Sequence, residues 1–312
     1  MTAQLILGPV LFNWAPDVWR DFHFRMADET GVDEICVGEI VCSKRAPFLA
    51  EHLEAVCARV VAAGKRLTLS APILPTLARE RATVGDLIEL AAAIDGAVVE
   101  ANDMGAVNAL TKAGKRFRIG PFVNVYNEAT LQWLAARGAE SVCLNAELPL
   151  AAMKALGAAA GGAGGGAALE AQVFGRLPLA ISARCYHARA HNLHKDGCRY
   201  VCGEDPNGMD VSTLDGAPFL AVNGTQTMSH AWADLSAELP ALTAAGITRF
   251  RLSPQECDMA AVAAAYRAAL DGTEPLAAAA AAARTAAAGK PLANGFAYGG
   301  VGAKAYPAAA MG

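Results

Sequence analysis

The sequence predicts an α/β fold: a (β/α)8 TIM-barrel-like domain, open to distortion, with a Cys-rich loop insertion and an Ala/Gly-rich C-terminal tail. Three observations lead there. Short apolar strands alternate with helical stretches along the first two thirds of the chain, the pattern of βαβ units and a parallel sheet. The 312 residues suit one barrel of about 250 residues with additions. No G-x-G-x-x-G stands at the first strand-to-helix turn, which argues against a doubly wound dinucleotide fold.

The elements follow in order. Residues 5–12 (LILGPVLF) read as a strand, and 16–30 as a helix with Pro16 in its first turn. A strand at 34–41 (EICVGEIV) precedes a helix at 46–63 that ends at Gly64. Residues 67–71 are strand-like, with a helix around 84–94. The stretch 97–100 (AVVE) leads to a helix for which Asp103 is a suitable N-cap. Strands at 116–120 and 141–145 alternate with helices at 128–136 and 151–159. Residues 172–174 and 179–182 are short strand candidates, and 249–252 with a helix at 258–270 make the last unit.

Three segments break the pattern. Residues 157–168 (GAAAGGAGGGAA) read as a low-complexity surface loop without chemistry. Residues 187–215 are polar and Cys-containing, and such a long loop in a compact domain is usually functional. Residues 275–288 are Ala-rich and lead to a tail with Gly295, Gly299, Gly300 and Gly302. The expected division is a barrel domain over 1–272, including the Cys-rich loop 185–215, and an extension over 273–312.

Composition excludes several classes. A net charge of −4 argues against a nucleic-acid binder. No apolar run approaches the roughly 20 residues needed to span a membrane, and residues 1–10 lack the basic-then-apolar form of a signal peptide. A soluble cytoplasmic protein is expected, in which thiols stay reduced. The eight cysteines then read as core residues or metal ligands, not disulfides.

Cys36, Cys57 and Cys143 lie in apolar strands and a helix, where a small buried hydrophobe belongs. Cys257 opens a helix and fits either role. Cys185, Cys198 and Cys202 are spaced C-x12-C-x3-C, and Cys42 directly follows the second strand. In a barrel, Cys42 and Cys185 both reach the face at the carboxyl ends of the strands, where active sites are built. The loop bearing Cys198 and Cys202 can fold over that face. Four thiolates there can hold a tetrahedral zinc or an Fe–S cluster, and this soft donor set alone does not separate the two.

Lys44, Arg45 and Arg184 flank these cysteines, placed to pair with an anionic cluster or a carboxylate substrate. Glu39, Glu100, Asn124 and Glu147 fall near strand ends, the barrel position for catalytic groups. His187, His191 and His194 lie in the Cys loop and read as loop residues, although a zinc site can recruit one. Residues 224–227 (GTQT) lack the Gly-Lys-Ser/Thr of a phosphate loop.

Four stretches resemble the U32 peptidase family, in its branch devoted to ubiquinone biosynthesis. They are 7–12 (LGPVLF), 37–45 (VGEIVCSKR), 177–185 (LPLAISARC) continuing through Cys198 and Cys202 to Pro206-Asn207-Gly208, and 222–229 (VNGTQTMS) followed by 251–255 (RLSPQ). The similarity extends to about Gly272 and is weakest in the Gly-rich loop and the tail. The GE-x-x-CSKR and SARC motifs together are specific.

The resemblance implies a [4Fe–4S] cluster held by Cys42, Cys185, Cys198 and Cys202. It implies a heterodimer with a sister U32 protein, UbiU, that carries its own cluster. It also implies a role in oxygen-independent hydroxylation of a prenylated aromatic quinone precursor, with prephenate as oxygen donor and the lipid-carrier-like protein UbiT in the same pathway. No catalytic residue can be named from it. The other classes are a zinc-stabilised scaffold and a U32-type peptidase; neither H-E-x-x-H nor G-x-S-x-G occurs in the chain.

Overall fold

The computed structural model describes residues 3–161 and 166–307. Eight parallel strands form a closed barrel. They are β1 (Gln4–Leu7), β2 (Glu34–Val37), β3 (Arg66–Ser70), β4 (Val98–Ala101), β5 (Phe117–Ile119), β6 (Ala139–Cys143), the long β7 (Ala168–Ile181) and, after three further strands, Ile247–Leu252. The strand Ile247–Leu252 pairs with β1 on one side and with β7 on the other, and so shuts the ring. The expected barrel is therefore present.

Helices return the chain on the outside: α1 (Pro16–Glu29), α2 (Ala46–Ala62), α3 (Ala78–Ala93), α4 (Met104–Lys112), α5 (Glu128–Ala135) and α6 (Leu150–Ala160). Asp103 caps α4 as expected, accepting from the N–H groups of Gly105 and Ala106 at 2.8 and 2.9 Å. The buried apolar side chains, with Trp19, Phe117 and Phe250 among the largest, fill the layer between helices and sheet.

The departures have local causes. The first two strands stop at Leu7 and Val37, short of residues 12 and 41. Gly8-Pro9 ends one, since Pro cannot donate to a ladder. Gly38 ends the other at φ +146, a backbone only glycine adopts easily, and a Cβ there would stand 2.7 Å from the Ser70 carbonyl oxygen. The two short strands expected at 172–174 and 179–182 are one strand, β7. A bend at Gly175 (φ +97) lets its first half pair in the barrel while its second half leaves it. Of the low-complexity segment, residues 157–160 belong to α6, and residues 162–165 lie outside the described residues.

The polar segment after β7 is more structured than its composition suggests. It begins with a short helix, α7 (Tyr186–Ala190), and two 3-10 turns. It then enters an antiparallel ribbon of β8 (Met209–Ser212), β9 (Pro218–Asn223) and β10 (Gln226–Asp234) that pairs with the outer half of β7. Residues 224–227 are accordingly a hairpin turn opening into β10. After α8 (Leu239–Ala244), the closing strand is β11 (Ile247–Leu252), and α9 (Met259–Asp271) completes the barrel.

Gly272, at φ +69, ends α9. Beyond it, α10 (Leu276–Ala287) packs on α9, and β12 (Leu292–Ala293) pairs with β10. Asn294 Nδ2 and the Tyr298 hydroxyl both donate to Glu238 Oε1, at 3.0 and 2.8 Å.

The barrel lumen is ionic. Glu34, Glu100 and Glu170 alternate around it with Arg118, Arg249 and Arg251. Glu34 Oε1 receives Arg118 Nε at 2.8 Å and Arg249 Nη2 at 2.9 Å. Glu170 takes Arg249 Nε at 2.9 Å and also Arg251, whose other branch reaches Glu100. Three carboxylates face three guanidiniums, so the buried charges cancel. Glu100, a strand-end candidate for chemistry, is thus part of the packing: Ser70 and Arg251 occupy it.

Candidate functional site

The mouth at the carboxyl ends of the strands gathers the predicted cysteines. Cys42 sits in the turn after β2. Cys185 precedes α7, and its Sγ accepts the Ala188 N–H at 3.4 Å. Cys198 and Cys202 lie in the two 3-10 turns that follow. All four are free and partly exposed, whereas Cys36, Cys57 and Cys143 are buried in the core as expected. Burial drives the Cys36 and Cys143 thiols well above their usual range. Cys257 packs against the core, where burial pushes it up to about 12.

Cys42, Cys185 and Cys202 stand close enough to act on one another's charge. Burial pushes the Cys202 thiol up to about 11, and the nearby Arg45 guanidinium works against that rise. Burial also raises Cys42, again opposed by Arg45.

Arg45 is the centre of this arrangement. It is 1% exposed. Its Nη2 donates to Glu39 Oε1 at 2.7 Å and to the Leu11 carbonyl at 3.1 Å. Its Nε and Nη1 have no hydrogen-bond partner. A buried guanidinium half satisfied beside thiols is a costly group unless an anion faces it. Glu39, another strand-end candidate, positions the turn. Its Oε1 also accepts the N–H groups of Val41 and Cys42, each at 2.9 Å.

The other flanking residues divide. Lys44 reaches across to the Cys loop, donating to the Lys195 carbonyl at 2.7 Å, with Asp196 at 3.8 Å. Ser43 donates to Glu80 Oε1, and Glu80 Oε2 accepts the Thr76 and Leu77 N–H groups at the start of α3. Arg184 is exposed and lies outside this ring of contacts.

The loop is stitched down from several sides. Trp14 Nε1 donates to the Pro206 carbonyl at 2.8 Å, Thr225 Oγ1 to the Val41 carbonyl at 3.1 Å, and Tyr200 packs edge-on against Phe48. Between Cys198 and Cys202, Arg199 and Tyr200 both hold positive φ (50° and 57°). Each costs about 1 kcal/mol or more and persists only where its surroundings enforce it.

The donor set and its spacing bear on which metal group fits. Among the described residues, no three cysteine sulfurs lie within 4.8 Å of one another. One tetrahedral zinc, with Zn–S about 2.3 Å, draws its sulfurs to about 3.8 Å. A cuboidal Fe–S cluster carries its thiolates on four outer corners and spaces them wider. The half-satisfied Arg45 also suits a group with net negative charge. The residues present therefore fit a [4Fe–4S] cluster.

Beside the cysteines, at the ends of β5 to β7, runs a groove of about 280 Å³. Phe122, Leu179 and Ile181 give it apolar walls, and Asn124, Tyr126 and Glu147 give it polar ones. Asn145 joins its two loops, accepting Val125 N–H at 2.8 Å and donating to the Pro121 carbonyl at 3.3 Å. The Tyr126 hydroxyl donates to Glu147, and burial together with that bond raises the phenol to about 12. Asn124 and Glu147 were legible as strand-end polar residues. Tyr126 and Asn145 were not singled out, although each stands two residues from one of those two in extended chain and shares its face.

With this geometry established, comparison with known proteins is informative. The model for Peptidase family U32 matches residues 22–305, and the chain belongs to that family. Among solved structures, the U32 peptidase Mk0906 aligns with 82% of this chain and 93% of its own, at 13% identity and a TM-score of 0.47. A class V chitinase from Nicotiana tobaccum aligns with 90% of this chain and 99% of its own, at 10% identity and a TM-score of 0.37. No helix among the described residues is long and apolar enough to cross a membrane.

Proposed function

We propose that this chain is the iron–sulfur subunit of an oxygen-independent hydroxylase in ubiquinone biosynthesis, a protein of the UbiV type. In this reading it works in the cytoplasm as a heterodimer with UbiU, with UbiT in the same pathway. The substrate is a prenylated aromatic quinone precursor, and prephenate is the oxygen donor. The observation that carries the reading is the buried Arg45, with two unpartnered nitrogens, beside the thiols of Cys42 and Cys202 in a U32 protein. The GE-x-x-CSKR and SARC motifs supply the cysteines that face it.

Cys42, Cys185, Cys198 and Cys202 would hold the cluster, which supplies one-electron transfer when bound. Arg45 offsets the negative charge of the four thiolates and favours their deprotonated form. Glu39 orients the Cys42 turn through two N–H bonds. Lys44 ties the turn to the Cys198 loop and so couples the two halves of the ligand set. The groove takes the aromatic ring against Phe122 and Ile181. Tyr126 and Asn124 offer hydrogen bonds to ring oxygens, and Glu147 holds the Tyr126 proton in place.

Purification under strict anaerobiosis, with iron, sulfide and zinc counted in wild type and Cys42→Ala, tests the reading. About four iron and four sulfide per chain are expected, with loss in the variant. Zinc without sulfide overturns the redox role and leaves a zinc-stabilised scaffold.

A further inference from the structure

We propose that His187, His191 and Asp205 form a second metal site, one that binds a single divalent transition-metal ion of the zinc or iron(II) class. This site uses none of the four cysteines and does not rest on the cluster reading. His187 and His191 stand four residues apart, the first inside α7 and the second at its end, so their imidazoles share one face. That spacing is the one by which a helix chelates zinc with two histidines. The rings stack nearly parallel, 8° apart with centroids at 5.7 Å.

Asp205 comes from the far end of the loop. Its Oδ2 stands 2.9 Å from His187 Nε2. One donor atom from each of the three residues lies within 4.8 Å of the other two. An ion about 2.0–2.2 Å from each donor holds ligands at right angles about 3 Å apart, and tetrahedral ones about 3.4 Å apart. The His187–Asp205 pair already has that separation, and His191 sits on an exposed helix end that can close the remainder. Two imidazoles and a carboxylate suit zinc or iron(II), and three protein ligands leave a coordination position for water.

The placement suggests what the ion does. His187 and Asp205 bracket the segment that carries Cys198 and Cys202. An ion held between them fixes both ends of that segment and removes much of its loop entropy. It thereby supports the left-handed residues Asn192, Arg199 and Tyr200 that lie between. His194 is not part of the site: its Nδ1 accepts the Gly197 N–H at 2.9 Å.

The test titrates anaerobically purified, EDTA-dialysed protein with Co2+ as the probe, counting iron and sulfide in the same sample. A single Co2+ per chain is expected, with visible d–d absorption and no strong near-ultraviolet thiolate band. His191→Ala and Asp205→Asn should each weaken binding by at least about tenfold, whereas Cys198→Ser should retain it. His191→Gln is a second variant at an exposed position, and circular dichroism checks its fold. Absence of Co2+ binding at millimolar concentration overturns the proposal. So does cobalt that shows a thiolate band and is unmoved by the histidine variants. A normal cobalt site in protein lacking iron and sulfide refutes the cluster reading alone, and the reverse result refutes this site alone.

Discussion

The barrel lumen and the barrel mouth both bury arginine, yet they treat it in opposite ways. In the lumen, Arg118, Arg249 and Arg251 each meet a carboxylate, and the three glutamates are shared so that the charges cancel. At the mouth, Arg45 is as deeply buried, but Glu39 engages only one of its nitrogens. Two backbone residues there are also held in a left-handed conformation. The lumen is complete in itself. The mouth keeps unspent positive charge and strain, as a binding site does before its ligand is counted.

Replacing Arg251 by Met should have the largest effect on stability, because it strands Glu100 and Glu170 inside the barrel. A loss of about 3–5 kcal/mol is expected in urea unfolding; a loss under about 1 kcal/mol would erase the contrast. Acid reaches the same network. Burial pushes the Glu170 carboxyl up, but Arg251 and Arg249 outweigh it and hold it down at about 2. A carboxylate depressed on folding contributes stability above its unfolded pKa, near 4.5, and loses it as pH falls toward 2. Unfolding midpoints should therefore fall across that window, and less steeply in Glu170→Gln.

Gly38→Ala comes next. A Cβ at φ +146, 2.7 Å from the Ser70 oxygen, should cost about 1–3 kcal/mol and displace the Cys42 turn. Thermal melting and iron content read both effects, and full iron content would detach Gly38 from the site.

Arg45→Met sharpens the comparison most. In metal-free protein it should cost only about 1–2 kcal/mol, less than Arg251→Met, since Glu39 keeps its two N–H partners. Iron per chain should fall, and the cluster potential should move negative as a neighbouring cation is lost. An unchanged potential would show that Arg45 does not face the cluster. Arg184→Ala should do least: within about 0.5 kcal/mol in stability, with iron content unchanged.

Much of the barrel was legible because parallel strands and covering helices leave strong local signals: short apolar runs, Asp103 as a cap, Pro16 in a first turn. The same local logic separated core cysteines from mouth cysteines. What it missed depends on distant partners. The ribbon of β8 to β10 hides because half its residues are polar, and only pairing with the outer half of β7 makes them strands. Arg45, Lys44 and Arg184 look alike beside their cysteines, and only packing buries the first, ties down the second and leaves the third in water.

By itself, the sequence determined the fold class, the positions of the four candidate cysteine ligands and the family motifs that carry them, since each is encoded within a few neighbouring residues. The tertiary structure alone decided which strand-end carboxylates are structural. Glu100 lies in the lumen among arginines, Glu39 braces the Cys42 turn, and Glu147 opens into a groove with Tyr126. It also brought Asp205 to His187 across 18 residues. The reason is physical: the role of a charge depends on how much water it keeps and which opposite charge it meets, and both are set by chain segments far away in sequence.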